Sequence, residues 1–500
     1  MNAIRESEGN EVVRKTSAVL LGLFAMTATA AIRIDGGRQL FVDDELVAGT
    51  NGVVRHWNRP TKVEDPVVWP EKGPENLTGA TDGGLWWDPK ILRFRLWYQK
   101  NWCGQACYAE SADGDTWEYP DLGIVPGSNR IFAREPLDSW CVVPDYTAAD
   151  PYSRWCMHIS APGGDTNDTI FDSRDGRRFT KIRVAGRSGD RSTMYFDPFR
   201  GKWVFSLRDF RKDVGRCRRY FAADRFDASC SWTTSEEWLV ATNRPNWQLY
   251  SFDAVAYESL MLGVMEVLYK MPGDNQACKK VGLPKQTGLH FCFSRDGRTF
   301  VPRDEADIAP EGWGSGKWDS GYLSAIGGIC VIRDERLWFY YTALRGDGCR
   351  LEQKDGKRNG MYANGSIGAA TLRRDGFAGM VSDARGEIMT RPLVFSGAHL
   401  FVNAECRFGS VAAEVLGADG KVVPGFSLDD CTAFARADST KTELRWKDAS
   451  LSDLKNREVR FRFVLRCATL YSFWVSESKH GESGGYLAGG GPAYRGLRDL

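Results

Sequence analysis

The sequence predicts an all-β protein: a five-bladed β-propeller followed by a C-terminal β-sandwich. Three observations lead there. One turn phrase, S-x-D-G-x-x-aromatic, is written three times, as SADGDTW at 111–117, SRDGRRF at 173–179 and SRDGRTF at 294–300. Hairpins built on a D-P turn recur along the same stretch of chain. The composition carries 18 Trp, 17 Tyr, 26 Phe and 53 Gly, which suits short strands and tight turns better than helices.

The N-terminus is expected to be a signal peptide over residues 1–30. Arg14 and Lys15 precede SAVLLGLFAMTATAA, an apolar run too short to span a membrane, which ends in the small-x-small pattern Ala28-Thr29-Ala30. A membrane anchor or a buried helix is the alternative reading. With the signal removed, the protein is expected to be secreted or periplasmic, without stable membrane insertion. The 66 Lys and Arg against 65 Asp and Glu give a net charge of +1, and no basic stripe stands out, so nucleic acid is not an expected partner.

Thirteen cysteines follow the signal. Cys103 and Cys107 are near enough in sequence to pair, and export permits disulfides. Most of the cysteines are nevertheless expected to be small core residues. The five His are scattered and no zinc-ligand spacing occurs, so no metal and no cofactor are expected. A Gly-rich phosphate loop, a Ser-His-Asp arrangement and H-E-x-x-H are all missing, which removes nucleotide, acyl-transfer and zinc-protease readings.

Five units are expected between 31 and 383. Three open on D-P hairpins: LWWDPKILRFRLWYQ at 85–99, TAADPYSRWCMHIS at 147–160 and YFDPFRGKWVFSLR at 195–208. Two more, AVAYESLMLGVMEVLYK at 254–270 and GGICVIRDERLWFYYTAL at 327–344, keep the pattern with other turns. They recur at roughly 45 to 75 residues, the spacing of four-stranded propeller blades. The D-P turn joins first strand to second, and the S-x-D-G turn joins third to fourth. Asp113, Asp175 and Asp296 are then turn formers on the outer rim. RRDGF at 373–377 resembles a degenerate fourth copy and DASCSW at 227–232 a weaker one. QLFVDDELV at 39–47 is expected to close the ring by joining the last blade. From 384 to 478, short alternating strands without the blade phrase predict the sandwich, and the Gly-rich stretch 479–500 predicts a flexible tail.

This architecture in an exported chain resembles the glycoside hydrolases of family 32 and their propeller relatives in families 43, 68 and 130. The phrases LFVDDELVA, SADGDTWEYPDLGI, GDRSTMYFDP, GKWDSGYL, IGAATLRRDGF and PGFSLDDC resemble bacterial family 32-like glycosidases across nearly the whole mature chain. The resemblance implies a glycosidase. It does not carry over catalytic residues, because the family phrases W-M-N-D-P-N, R-D-P and E-C-P are missing; KVEDPVVWP at 62–70 shares only the D-P.

The site has to come from geometry instead. In a propeller the first strands line the channel and the loops leading into them surround one mouth, while glycoside hydrolysis needs two carboxyl groups across the scissile bond. The candidates are acids just ahead of each first strand. Asp190 in SGDRSTMYF and Asp319 in GKWDSGYL are the expected catalytic pair. Glu75, Arg208, Gln248, Tyr250, Asp253, Trp318 and Tyr322 are expected to bind substrate; the aromatics suit sugar faces, and Arg208 suits a carboxylate or a hydroxyl. Asp82 and Asp138 are weaker candidates from the first and second units. The function expected is hydrolysis of oligo- or polysaccharide glycosidic bonds; the alternative is a non-catalytic carbohydrate-binding propeller.

Overall fold

The computed structural model describes residues 30–69, 78–101, 103–134, 137–160, 167–228, 232–271, 278, 280–346 and 360–500. The expected signal peptide lies outside them except for Ala30. Among the described residues no helix is long and apolar enough to cross a membrane. The protein is all-β, a propeller joined to a sandwich.

Each hairpin read from the sequence is an antiparallel strand pair. Thr78–Asp88 pairs with Arg93–Lys100, Ser139–Pro144 with Trp155–Ser160, and Thr193–Asp197 with Lys202–Arg211. Trp247–Glu258 pairs with Leu260–Tyr269, and Val331–Arg333 with Arg336–Leu344. All continue outward as meanders. The inner strands Ser139–Pro144, Thr193–Asp197 and Trp247–Glu258 are buried at every residue. Strands covered on both faces lose the alternation of a half-exposed sheet, so polar members such as Ser251 and Asp253 need partners inside the protein. Asp82 bridges in parallel to Trp140 on one side and to Ile326 on the other. First strands therefore run the same way, and the loops leading into them meet at one end of the channel.

The repeated turn has one mechanism in all three copies. Asp113 Oδ1 accepts the N–H groups of Asp115 and Thr116 at 2.8 Å and the Ser111 hydroxyl at 2.9 Å, while Ser111 Oγ accepts the Gly114 N–H at 2.8 Å. Asp175 and Asp296 repeat this with Ser173, Arg177 and Arg178, and with Ser294, Arg298 and Thr299. The glycines that follow sit at φ +83°, +66° and +68°, where any side chain would be strained. All three aspartates are exposed, as expected of turn formers. The two recurring phrases also grip each other. Arg95 joins Asp88 of the first D-P turn (3.0 Å) to the Asp175 carbonyl of the next unit. Arg200 likewise joins Asp197 (2.7 Å) to the Arg295 carbonyl.

Three expectations are corrected. RRDGF is no exposed turn: Asp375 is fully buried, accepts from Tyr257 Oη at 2.5 Å and Ser472 Oγ at 2.6 Å, and pairs with Arg38 at 3.1 Å. QLFVDDELV does not close the ring. Gln39–Leu40 pairs with Ser472 and Phe473 of the sandwich, because Phe41 and Leu46 bury in the sandwich core. Ring closure falls to Thr61–Lys62, antiparallel to Ala370 and Thr371. The Gly-rich terminus is packed rather than loose: Tyr486–Leu487 pairs with Tyr257 and Glu258, and Leu487, Ala488 and Leu497 are buried. Its glycines permit this, since a Cβ on Gly491 would collide with the Ile332 carbonyl. The described cysteines are mostly buried, as expected of small core residues. DASCSW lies partly outside the described residues.

The sandwich is organised by one eighteen-residue strand, Val459–Ser476. Its burial alternates along both halves and breaks at Arg466 and Cys467, where Cys467 takes φ 42°. The break lets the strand bend and pair with Ser410–Gly417 along one half and His399–Glu405 along the other. Ala378–Thr390 joins it across the expected boundary, as do Ile32–Arg33, Gln39–Leu40, Val47–Asn51 and Val54–Trp57 through the same sheet. Propeller and sandwich meet at a buried cluster: Arg374 lies 2.9 Å from Glu258, Arg38 3.1 Å from Asp375.

Candidate active site

Asp138 and Asp190 are brought side by side by stitches between the second and third units. The Ser139 hydroxyl accepts the Arg191 N–H at 2.5 Å, and the Ser160 hydroxyl donates to the Gly189 carbonyl at 3.2 Å. The Asp138 N–H in turn donates to the Ser160 carbonyl at 2.9 Å. Each acid thus stands immediately ahead of a first strand, on backbone tied to its neighbour.

Their environments differ. Asp190 Oδ1 lies 2.6 Å from the Arg208 guanidinium, both side chains about a quarter exposed at 26% and 24%. Arg208 is fixed in turn, its N–H donating to Ser192 Oγ at 2.9 Å, and a Cβ on Gly189 would collide with its side chain. Asp138 is the more buried of the two. Burial, and then the charge of Asp190, push its carboxyl up to about 6, with Arg191, Lys285 and a hydrogen bond from the Cys103 thiol opposing the rise. The Asp138 carboxyl thus holds its proton to a higher pH than an ordinary aspartate, beside a carboxylate paired with arginine, an arrangement that suits a general acid.

A buried charge network forms the floor. Arg191 reaches Glu266 and Ser324 Oγ at 2.6 Å and Asp82 at 3.3 Å. Burial raises the Asp82 carboxyl against the pull of Arg191, and lifts Glu266 to about 7. Asp253, fully buried with the Ala254 N–H as donor at 2.8 Å, is raised well above the usual carboxylate range by burial and by Asp82. Asp82, Arg191 and Tyr322 take φ 73°, 65° and 40°. Left-handed conformations in non-glycine residues cost free energy and concentrate at functional sites.

The expected site residues divide. Asp190 and Arg208 are together. Gln248 and Tyr250 line the same wall, Gln248 accepting from Arg216 at 2.7 Å and Tyr250 from Lys285 Nζ at 2.5 Å. The Tyr322 N–H donates to the Lys285 carbonyl at 2.5 Å. Asp253 belongs to the floor. Glu75 lies outside the described residues. Asp319 is engaged elsewhere, by Lys62 at 2.7 Å and the Tyr341 hydroxyl at 3.0 Å, and Trp318 stacks on Tyr341 at 5.2 Å. The backbone ties join the segments that carry Asp138 and Asp190, while Asp319 is held by Lys62 and Tyr341. Arg191, Arg216, Glu266 and Lys285 were not among the expected residues, although a single Glu inside the apolar run LMLGVMEVLY is a visible signal. Among the described residues no group of His, Cys, Asp and Glu is arranged to hold a metal ion. A cavity of 690 Å³ opens beside Arg208, lined by Gly189, Asp209, Phe210, Arg219 and Trp232 among others.

No family model matches this sequence, and no curated protein matches it. Among solved structures the chain is similar to an N-acetylgalactosamine deacetylase from F. plautii, at 13% identity and TM-score 0.44, over 64% of this chain and 96% of that one. It is similar to a fructofuranosidase from Schwanniomyces occidentalis at 10% identity and TM-score 0.37, over 84% and 98%. An exo-β-1,3-galactanase from Phanerochaete chrysosporium follows at 7% identity and TM-score 0.39, over 82% and 100%. At such identities and TM-scores these proteins carry no chemistry over to this chain, which has to be read from Asp138, Asp190 and their surroundings.

Proposed function

We propose that this protein is a glycoside hydrolase whose catalytic pair is Asp138 and Asp190, with Asp138 in the place first expected of Asp319. The reading rests on one observation: two carboxyl groups on adjacent lead-ins, one paired with Arg208 and the other lifted to about 6. Asp138 gives its proton to the leaving oxygen as the glycosidic bond breaks. Asp190, ionised, either attacks the anomeric carbon or takes a proton from the attacking water, and water completes the hydrolysis. The substrate is an oligo- or polysaccharide, and the cavity beside Arg208 is where its chain continues. In this reading the five meanders are the five blades, the sandwich buttresses them, and the chain is exported to the periplasm or beyond.

A screen of the purified protein against aryl glycosides and oligosaccharides tests this, repeated with Asp138→Asn and Asp190→Asn. Cleavage by the wild type and loss of several orders of magnitude in both variants is the expected result. Saccharide binding without cleavage would instead make the propeller a binding module.

A further inference from the structure

We propose that Asp168 is a positioning residue for Asp190: acting through the Ser188 hydroxyl, it fixes the turn that presents Asp190. The glycosidase reading supplies the task of Asp190; how Asp190 is held stands apart from it.

Asp168 lies near the start of the strand Asn167–Ser173, fully buried beside the exposed Asn167. The pairing with Thr180–Arg187 slips at this point, Asn167 standing opposite Arg187 and Thr169 opposite Val184. Irregularities of this kind re-aim side chains next to functional sites. One oxygen of Asp168 serves two partners, Ser188 Oγ at 2.6 Å and His158 Nε2 at 2.8 Å. Its other oxygen has no hydrogen-bond partner, and neither has His158 Nδ1. The His158 ring is buried as well, edge-on to Phe205 and Trp232 at 5.9 and 6.3 Å. A carboxylate buried in this way carries a desolvation cost. What it holds is Ser188, two residues ahead of Asp190.

The Ser188 hydroxyl matters because of the carbonyl that follows it. Three serine hydroxyls lie within reach of the Gly189 carbonyl oxygen: Ser192 at 2.9 Å, Ser160 at 3.2 Å and Ser188 at 3.2 Å. A carbonyl oxygen has two acceptor sites and each hydroxyl one proton, so the three cannot all donate to it. Asp168 takes the Ser188 proton at the shorter distance and leaves the carbonyl to Ser160 and Ser192. Ser160 ties the turn to the segment of Asp138, whose N–H its carbonyl accepts, and Ser192 ties it to the backbone N–H of Arg208. Arg208 is the cation on Asp190. Without Asp168, Ser188 competes for the carbonyl, and the turn loses the single arrangement that sets Asp190 against Arg208.

The experiment has a substrate-free arm, an NMR titration of the aspartate side chains in the wild type, Asp168→Asn, Ser188→Ala and Ser188→Thr. A charge spread over several positions acts more weakly than one held in place. Asp138, whose elevation includes the charge of Asp190, should therefore titrate lower in Asp168→Asn and Ser188→Ala than in the wild type. On the saccharide that the screen identifies, the same two variants should lose roughly 10- to 100-fold in kcat with KM nearly unchanged. Ser188→Thr keeps the hydroxyl and should restore most of both. Asp172→Asn, which breaks the pair with Arg154 on the same strand, is the structural control and should leave both readouts at their wild-type values. If Asp168→Asn fails to fold, Ser188→Ala decides alone. An unmoved Asp138 titration in Ser188→Ala, an equal shift in Asp172→Asn, or losses that Ser188→Thr does not restore would overturn the proposal. A shifted titration in a protein that cleaves no saccharide would leave it standing and remove the glycosidase reading; wild-type cleavage and titration in Ser188→Ala would do the reverse.

Discussion

Lys62 Nζ lies 2.7 Å from a carboxylate oxygen of Asp319, across the seam where the N-terminal strand Thr61–Lys62 closes the propeller ring. The acid that sequence position made a catalytic candidate is thereby a clasp, with the Tyr341 hydroxyl on the same oxygen. Asp319→Asn should lower stability by about 1–3 kcal/mol, because it removes the buried one of the two carboxylates that hold Lys62 and leaves it the more exposed Glu311, also at 2.7 Å. Turnover per folded molecule should stay near that of the wild type. Denaturant unfolding beside specific activity checks both, and an unchanged midpoint with lost turnover would return Asp319 to the catalytic site.

The repeated turns give a second expectation. Asp113→Ala, Asp175→Ala and Asp296→Ala each remove the acceptor of two backbone N–H groups and a serine hydroxyl, and should each cost about 1–2 kcal/mol. Backbone N–H donors, Thr116 foremost, hold Asp113 down to about 2 from 3.8. A carboxyl depressed in the folded state contributes stability above its unfolded value and loses it as pH falls toward the folded one. Asp113→Ala and the wild type should therefore converge in stability between about pH 4 and pH 2, followed by acid titration of the thermal midpoint.

Asp375→Ala should be the most damaging of the structural changes, at about 3–5 kcal/mol, because it strips a fully buried carboxylate from Arg38 and leaves it Glu258, 3.6 Å away and shared with Arg374, between propeller and sandwich. Equilibrium unfolding in denaturant measures it. A cost below about 1 kcal/mol would mean the cluster does not weld the two parts.

Repetition is what made the propeller legible. Five hairpin phrases and three S-x-D-G turns are local grammar, and each turn satisfies its backbone within a handful of residues, so nothing distant is needed to read it. Partnerships over long separations were not legible. Lys62 meets Asp319 and Gln39 meets Phe473 through ring closure and strand order, which no local pattern encodes. The same blindness affected the site: Asp138 and Asp319 both precede first strands, and only the Ser139 and Ser160 stitches decide which of them stands beside Asp190. The RRDGF phrase shows the opposite failure, a local motif recruited into a buried interface by Arg38 and Ser472.

The lifted carboxyl of Asp138 sets a pH dependence. Hydrolysis needs its protonated form, so the rate should decline as pH rises through about 6. Part of that elevation comes from the charge of Asp190, so in Asp190→Asn the Asp138 carboxyl should titrate lower. A carbon-detected NMR titration of the aspartate side chains in both proteins follows the shift, and identical titration curves would separate the two residues.

The central claim, that Asp138 donates the proton to the departing oxygen, is tested most directly by varying the leaving group. On the sugar that the substrate screen identifies, Asp138→Asn should release dinitrophenol from a dinitrophenyl glycoside, which needs no proton to depart, with kcat/KM close to the wild-type value. The same variant should cleave the unactivated phenyl glycoside roughly 10²- to 10⁴-fold more slowly than the wild type. Equal losses on both leaving groups, or no loss on either, would contradict the account.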